Sequence, residues 1–280
     1  MSPEAQELFL EEVYPDTINR TAEDEARGQQ IYALDYLRQP VDVITFVRDD
    51  YFLGRILTDN GRSSVYPKIL DDLQELFNGD YVEVLLKGSI GWGKTTFAYI
   101  GILYDLYCVS CLRNPAGAYG LIPGTSLAFV NVSTTLKLAQ RVLFKGIFNL
   151  IRSTPYFKEN FPFDPNLTNE ARFPRGVVAY PVATNEQSML GEGVFSAAID
   201  EINFYKVVER SKNMPEGGLY DQAQVLYNRI SRRLRSRMNQ RGRMPGHLYM
   251  ISSSRYPNDF TERKSNEARG GDKAIFRKNG

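Results

Sequence analysis

Apolar residues in this chain follow two periods, and the points where the period changes outline its organisation. Compact apolar runs at residues 82–86, 127–132, 177–183, 194–199 and 247–251 have the length and two-sided apolarity of buried parallel strands. Between them the spacing turns helical. Ile69, Leu70, Leu73, Leu76 and Phe77 define one stripe, and residues 96–112 form a longer apolar segment. Ser133, Thr134 and Thr135 offer N-cap chemistry for a helix over 136–151, and Leu226, Ile230, Leu234 and Met238 mark a helix over 219–240. Strand alternating with helix predicts an α/β fold with a mostly parallel central sheet.

The remaining segments are more polar. Residues 3–39 read as charged amphipathic helices stopped by Pro40, residues 45–57 as a mixed segment, and Thr58-Asp59-Asn60-Gly61 as a turn. Residues 114–125 are a Gly- and Pro-rich loop, and residues 155–174 an irregular insertion or short hairpin. The expected division is a helical lead-in over 1–80, a core over 81–256, and a basic tail over 257–280 that serves as a lid remnant or linker.

Charge changes this picture more than composition does. The net charge of +1 conceals 18 acidic and 7 basic side chains in residues 1–86, against 15 acidic and 27 basic in the rest. A basic second part suits a polyanionic partner. No apolar run reaches the ~18 residues of a membrane span, and residues 1–12 lack a signal peptide's basic start, so a cytoplasmic protein with no membrane partner is expected. Cys108 and Cys111 have C-x-x-C spacing, but the chain's one histidine, His247, leaves a zinc site short of ligands, which favours buried thiols.

Gly88-Ser89-Ile90-Gly91-Trp92-Gly93-Lys94-Thr95 is G-x-x-x-x-G-K-[ST], placed between a predicted strand and a predicted helix. Its glycines let successive N–H groups point at a polyphosphate, and the helix N-terminus adds positive potential. Lys94 would reach the β- and γ-phosphates, Thr96 would lie in the first helical turn, and the Thr95 hydroxyl would join a Mg²⁺ shell. About a hundred residues on, the apolar strand 194–199 ends in Asp200-Glu201. Asp200 would hold Mg²⁺ through water, and Glu201 would polarise the water that attacks the γ-phosphate of ATP. The strand 247–251 ends in Ser252-Ser253-Ser254, hydroxyls placed to sense that phosphate. Tyr66, before Pro67, is an adenine-side candidate, with a core aromatic as the alternative.

Arg229, Arg232, Arg233, Arg235, Arg237, Arg241 and Arg243 follow one another with no acidic residue between 229 and 243. An anionic partner, nucleic acid or a neighbouring subunit's nucleotide, is favoured over a solvated face.

Taken in order, these motifs resemble the ATPase domain of the large terminase subunit of tailed bacteriophages, a DNA-packaging motor. The likeness runs from about Thr45 to Arg255: Gly88 to Thr95 as Walker A, Ser188-Met189-Leu190-Gly191 ahead of Asp200-Glu201 as Walker B with its catalytic glutamate, and Ser252 to Ser254 as the coupling motif. The resemblance implies a RecA-like (ASCE) P-loop NTPase fold, ATP with Mg²⁺, double-stranded DNA, a portal protein, a small terminase subunit and a pentameric ring in the infected host's cytoplasm. It also implies a nuclease domain for which no room follows Arg255, so ATP hydrolysis without DNA cleavage is expected. A helicase-like ATPase and an ATP-binding assembly module with little turnover are the alternatives. Many terminases carry arginine where this chain has Ile90 and Leu190, and often a glutamine near Ile69. The arginine that neutralises the transition state is therefore sought among Arg229, Arg232, Arg233 and Arg255, with Arg237 as a further candidate for DNA contact.

Overall fold

The computed structural model describes residues 35–89, 91–140, 145–164, 170–183, 193–208, 220–238, 245–269 and 275–279. The expected helices within residues 3–34, the Ser188 to Gly191 motif and Arg241 and Arg243 lie outside them.

The lead-in begins with α1 (Val43–Arg48), capped by the Asp42 carboxylate on the N–H groups of Ile44 and Thr45. The predicted turn follows as a tight hairpin between Thr58–Asp59 and Arg62–Ser63, with Asn60 and Gly61 both at positive φ, as such loops require. Next comes α2 (Pro67–Asn78), with proline in its first turn and Ile69, Leu70, Leu73 and Leu76 buried. The core then runs β1 (Glu83–Lys87), α3 (Lys94–Ser110), β2 (Leu127–Ser133), α4 (Lys145–Ser153), α5 (Pro155–Asn160), β3 (Ala171–Phe173), β4 (Val177–Ala183), β5 (Gly193–Asp200), α6 (Gln222–Met238), β6 (Leu248–Ser252), α7 (Phe260–Arg269) and β7 (Ile275–Asn279). Of the helix expected over 136–151, Leu136–Ala139, capped by Thr135, and Lys145–Ser153 are helical, and residues 141–144 lie outside the described residues.

Among the described residues these seven strands form one sheet in the order β7-β1-β6-β5-β2-β4-β3, parallel except for the edge strand β3. Alternation along each strand divides the core. Val84 and Leu86 of β1 face a cluster with α1, α2 and α3, whereas Leu85 faces a second cluster with α6 and α7. Every residue of β2 is buried, as is all of β5 before Asp200.

Residues 257–280 are not the lid remnant or linker that their polarity suggested. Phe260 is buried, α7 covers the sheet face shared with α6, and β7 pairs in parallel along the whole of β1. Phe276 is 1 % exposed, stacked on Phe97 with ring centroids 5.9 Å apart. Only a few apolar residues anchor these elements, Phe260 on α7 and Ile275 and Phe276 on opposite faces of β7, which is why mean polarity misled.

A buried carboxylate locks the centre of this frame. Asp105, on the inner face of α3, accepts from Ser196 Oγ at 2.8 Å and Tyr249 Oη at 3.2 Å, and its Oδ1 lies 2.8 Å from His247 Nδ1. These partners sit on or just before β5 and β6. Cys111 is buried and Cys108 half-buried against this interior, and burial raises the pKa of both thiols.

Candidate active site

The carboxyl ends of β1, β5 and β6 converge, and strand register decides what meets there. Lys87 of β1 is level with Ser252 of β6, and Asp200 of β5 is level with Ile251, so Glu201 falls beside Ser252. This row forms one wall of a chamber of about 640 Å³, lined by Gly88, Ser89, Glu201, Phe204, Ser253 and Ser254 together with Lys87, Glu262, Ser265, Asn266 and Arg269.

Local geometry sets the phosphate loop. Gly91 and Gly93 have φ of 89° and 92°, a conformation that glycine adopts without strain. A Cβ on Gly93 would also stand 2.6 Å from Ile69 Cδ1, so the loop rests directly on α2. Lys94 starts α3 and is 8 % exposed; its Nζ donates to the carbonyl oxygens of Gly88 and Ser89 at 2.6 and 2.8 Å and to Ser253 Oγ at 3.5 Å. Burial pulls its pKa below the usual lysine value, opposed by the charges of Glu201 and Asp200. Thr95 is exposed, and Trp92 and Thr96 are half-buried, Trp92 against the apolar core. Ile90 lies outside the described residues. Tyr66 is 62 % exposed beside the loop, its Cδ2 3.8 Å from where a Gly93 Cβ would stand, so the core alternative for this ring does not hold.

The two carboxylates differ in environment. Burial, and then the neighbouring Glu201, push Asp200 up to about 6 despite the attraction of Lys94. Glu201 adopts φ 50° and ψ 45°, a left-handed conformation that is uncommon for a residue with a side chain and clusters at functional sites. Its Oε2 accepts from Ser252 Oγ at 3.2 Å, and the same hydroxyl accepts the Asn203 N–H at 3.2 Å. Ser252 is fully buried, so it holds Glu201 rather than facing a ligand; Ser253 and Ser254 are the members of the serine run that line the chamber.

The arginine candidates separate. Arg229 and Arg232 are exposed on α6, Arg233 is half-buried with a partner, and Arg237 lies in the last turn of the same helix. Arg235 pairs with buried Glu83 at 2.9 Å, so the run is not without a counter-charge. Glu83 begins β1, at the sheet edge opposite the phosphate loop, and α6 covers the face opposite α3. The arginine-rich end of α6 therefore points away from this chain's own site. Arg255 is nearer, stacked 5.1 Å over the Phe204 ring and donating to the Asn203 carbonyl oxygen at 3.4 Å. His247 stays in the core with Asp105.

Asn203, Lys87, Phe204, Glu262 and Arg269 belong to no sequence motif, yet they surround the chamber or support it. Their trace in the sequence is the helical spacing of Glu262, Ser265, Asn266 and Arg269 on one face of α7.

A mostly parallel sheet with a glycine loop between β1 and α3, and an acidic pair ending a buried strand, defines a P-loop NTPase. Residues 15–279 match the family model described as "Uncharacterized protein MJ0330, N-terminal P-loop domain", and the chain belongs to that family. No curated protein matches the chain by sequence. Among solved structures, the large terminase of bacteriophage HK97 is similar in fold, with a TM-score of 0.56 and 12 % identity over 84 % of this chain and 42 % of the terminase. The large terminase of a thermophilic bacteriophage aligns with a TM-score of 0.48 and 13 % identity over 76 % of this chain and 45 % of that one. The chain thus spans less than half the length of these terminases. Among the described residues no helix is long and apolar enough to cross a membrane.

Because the Asp200 pKa is raised, its carboxyl favours the folded state while protonated, and that contribution is lost as pH climbs from about 4 toward 6. Asp200→Asn removes the loss. Its thermal unfolding midpoint should exceed that of the wild type by a margin that grows between pH 4.5 and 7.5, and a margin independent of pH would contradict this electrostatic account.

Proposed function

We propose that this chain is the ATP-hydrolysing motor of a double-stranded DNA packaging machine of the terminase type. The observation that carries the hydrolytic part is Glu201, held in a left-handed conformation by Ser252 and facing the same chamber as Gly88 and Ser89.

In this reading the N–H groups of the loop from Gly88 to Thr95 and the N-terminus of α3 hold the β- and γ-phosphates of ATP. Lys94 moves its ammonium from the loop carbonyls to those oxygens, and Ser253, to which it also donates, lies within the same reach. Tyr66 flanks the adenine end. Glu201 accepts a hydrogen bond from the attacking water and aligns it with the γ-phosphorus, while Ser252 fixes the carboxylate's direction. Ser253 and Ser254 report the γ-phosphate's presence to β6.

The residue types present suit Mg²⁺: Thr95, next to Lys94 in the first turn of α3, and Asp200, whose charge acts on Lys94, offer the hard oxygen donors that the ion would take. When bound, such an ion would supply positive charge to the phosphate oxygens.

Double-stranded DNA is the proposed partner of the exposed arginines on α6, Arg229 and Arg232, with Arg233 and Arg237 on the same helix. The portal protein, the small terminase subunit, a pentameric ring and the infected host's cytoplasm extend from the terminase likeness and complete the proposal.

Steady-state ATPase measurements test the chemistry. Lys94→Ala should lose both nucleotide binding and turnover. Glu201→Gln should keep binding and lose turnover by about 10²- to 10⁴-fold, the usual contribution of a positioned general base. Turnover of Glu201→Gln at the wild-type rate would remove Glu201 from the mechanism. For DNA, Arg229→Ala with Arg232→Ala should lower the slope of log affinity against log salt by roughly 2, one phosphate contact each. An unchanged slope would assign α6 to another partner.

A further inference from the structure

The chamber raises an electrostatic question that the loop does not answer. A γ-phosphoryl group in transfer carries charge on three equatorial oxygens, and the N–H groups and Lys94 lie on its loop side. Across the chamber stand Glu201 and Glu262, both acidic, with Lys87 and Arg269 as the lining cations. Lys87 is engaged electrostatically, since its charge helps to depress the pKa of Asp259. Arg255 is engaged with Phe204 and Asn203 and does not line the chamber. Arg269 lies in the last turn of α7, exposed, and among the described residues no hydrogen bond or ion pair holds it.

We propose that Arg269 is the cation that contacts the γ-phosphate in the transition state, and that it does so within its own chain. This rests on the reading of the chamber as an ATP hydrolysis site. The guanidinium fork suits two phosphate oxygens at once, and α7 presents it on the same face as Glu262, Ser265 and Asn266.

The seat of α7 ties that arginine to the catalytic glutamate. Asn203, two residues past Glu201, reaches Asp259 Oδ2 and Thr261 Oγ1 with its Nδ2, both at 2.9 Å, and the Ser253 carbonyl oxygen at 2.8 Å. Its Oδ1 accepts the Thr261 N–H at 3.1 Å. Asp259 caps the helix, accepting the Glu262 N–H at 2.9 Å, and its other oxygen accepts the Arg255 N–H at 3.0 Å. Although burial works the other way, these N–H groups hold the Asp259 carboxyl below the usual range. All three residues are buried, so the first turn of α7 cannot shift without disturbing the segment that carries Glu201.

The test uses the whole chain and measures ATP turnover and ATP binding separately. Arg269→Ala should lower kcat by about 10²-fold or more, within the range seen when an oxyanion donor or finger arginine is lost, with nucleotide affinity changed by less than about threefold. Arg269→Lys should recover part of kcat. Mixing Arg269→Ala with Lys94→Ala should restore nothing if the arginine acts in cis. Wild-type kcat in Arg269→Ala, an equal loss of affinity and kcat, or recovery on mixing would each overturn the assignment. A wild type that binds ATP and never turns it over would overturn the hydrolytic reading itself, and this inference with it.

Discussion

Asp105 is 2 % exposed and accepts from Ser196 and Tyr249, with His247 against its other oxygen. A carboxyl group in such surroundings is tolerated only when its partners stay in place, since leaving a buried polar group unpaired costs about 1–3 kcal/mol. Since the partners belong to the two central strands and Asp105 to the helix that follows the phosphate loop, this contact sets how far α3 slides along the sheet. The distance from Lys94 to Asp200 and Glu201 inherits that setting. A polar lock is more selective here than apolar packing, because a helix can shift along an apolar face at small cost, whereas a buried hydrogen-bonding group has one arrangement that satisfies it.

The second constraint acts at the other end of the same strands. Parallel pairing brings Lys87, Ser252 and Glu201 into one row, and the Ser252 hydroxyl bridges the Glu201 carboxylate and the Asn203 N–H. A glutamate in a left-handed conformation costs of order 1–3 kcal/mol, and the surrounding hydrogen bonds are what maintain it. Asn203 then carries the arrangement to Asp259 and the start of α7. Phosphate loop, Glu201, serine run and α7 thus form one connected polar system at the edge where open α/β sheets bind ligands.

Much of this was legible in the sequence because it depends on local rules. The strands reveal themselves by two-sided burial, the loop by its glycines, and Asp200-Glu201 by ending an apolar run. What stayed hidden depends on contacts between distant residues. Glu83 meets Arg235 across 152 positions, which removes one arginine from a run that looked uncompensated. Ser252 looked like a phosphate sensor because all three serines are alike in sequence, and only the strand register separates the buried one from the two that face the chamber. Residues 257–280 looked like a linker because even the buried face of α7 is largely polar, with Thr261, Lys264 and Ser265 beside Phe260, and β7 is a short edge strand. Arg269 was lost with them.

We infer that one chamber gathers the phosphate loop, Glu201 and the α7 face for hydrolysis of a nucleoside triphosphate. A crystal structure of the chain with Mg²⁺, ADP and aluminium fluoride, a mimic of the phosphoryl group in transfer, tests it most directly. The account predicts the fluoride within hydrogen-bond distance of Lys94 and the Arg269 guanidinium, with a water between it and the Glu201 carboxylate. Aluminium fluoride bound with Glu201 and Arg269 both turned away from it, or nucleotide bound outside this chamber, would rule out hydrolysis at this site.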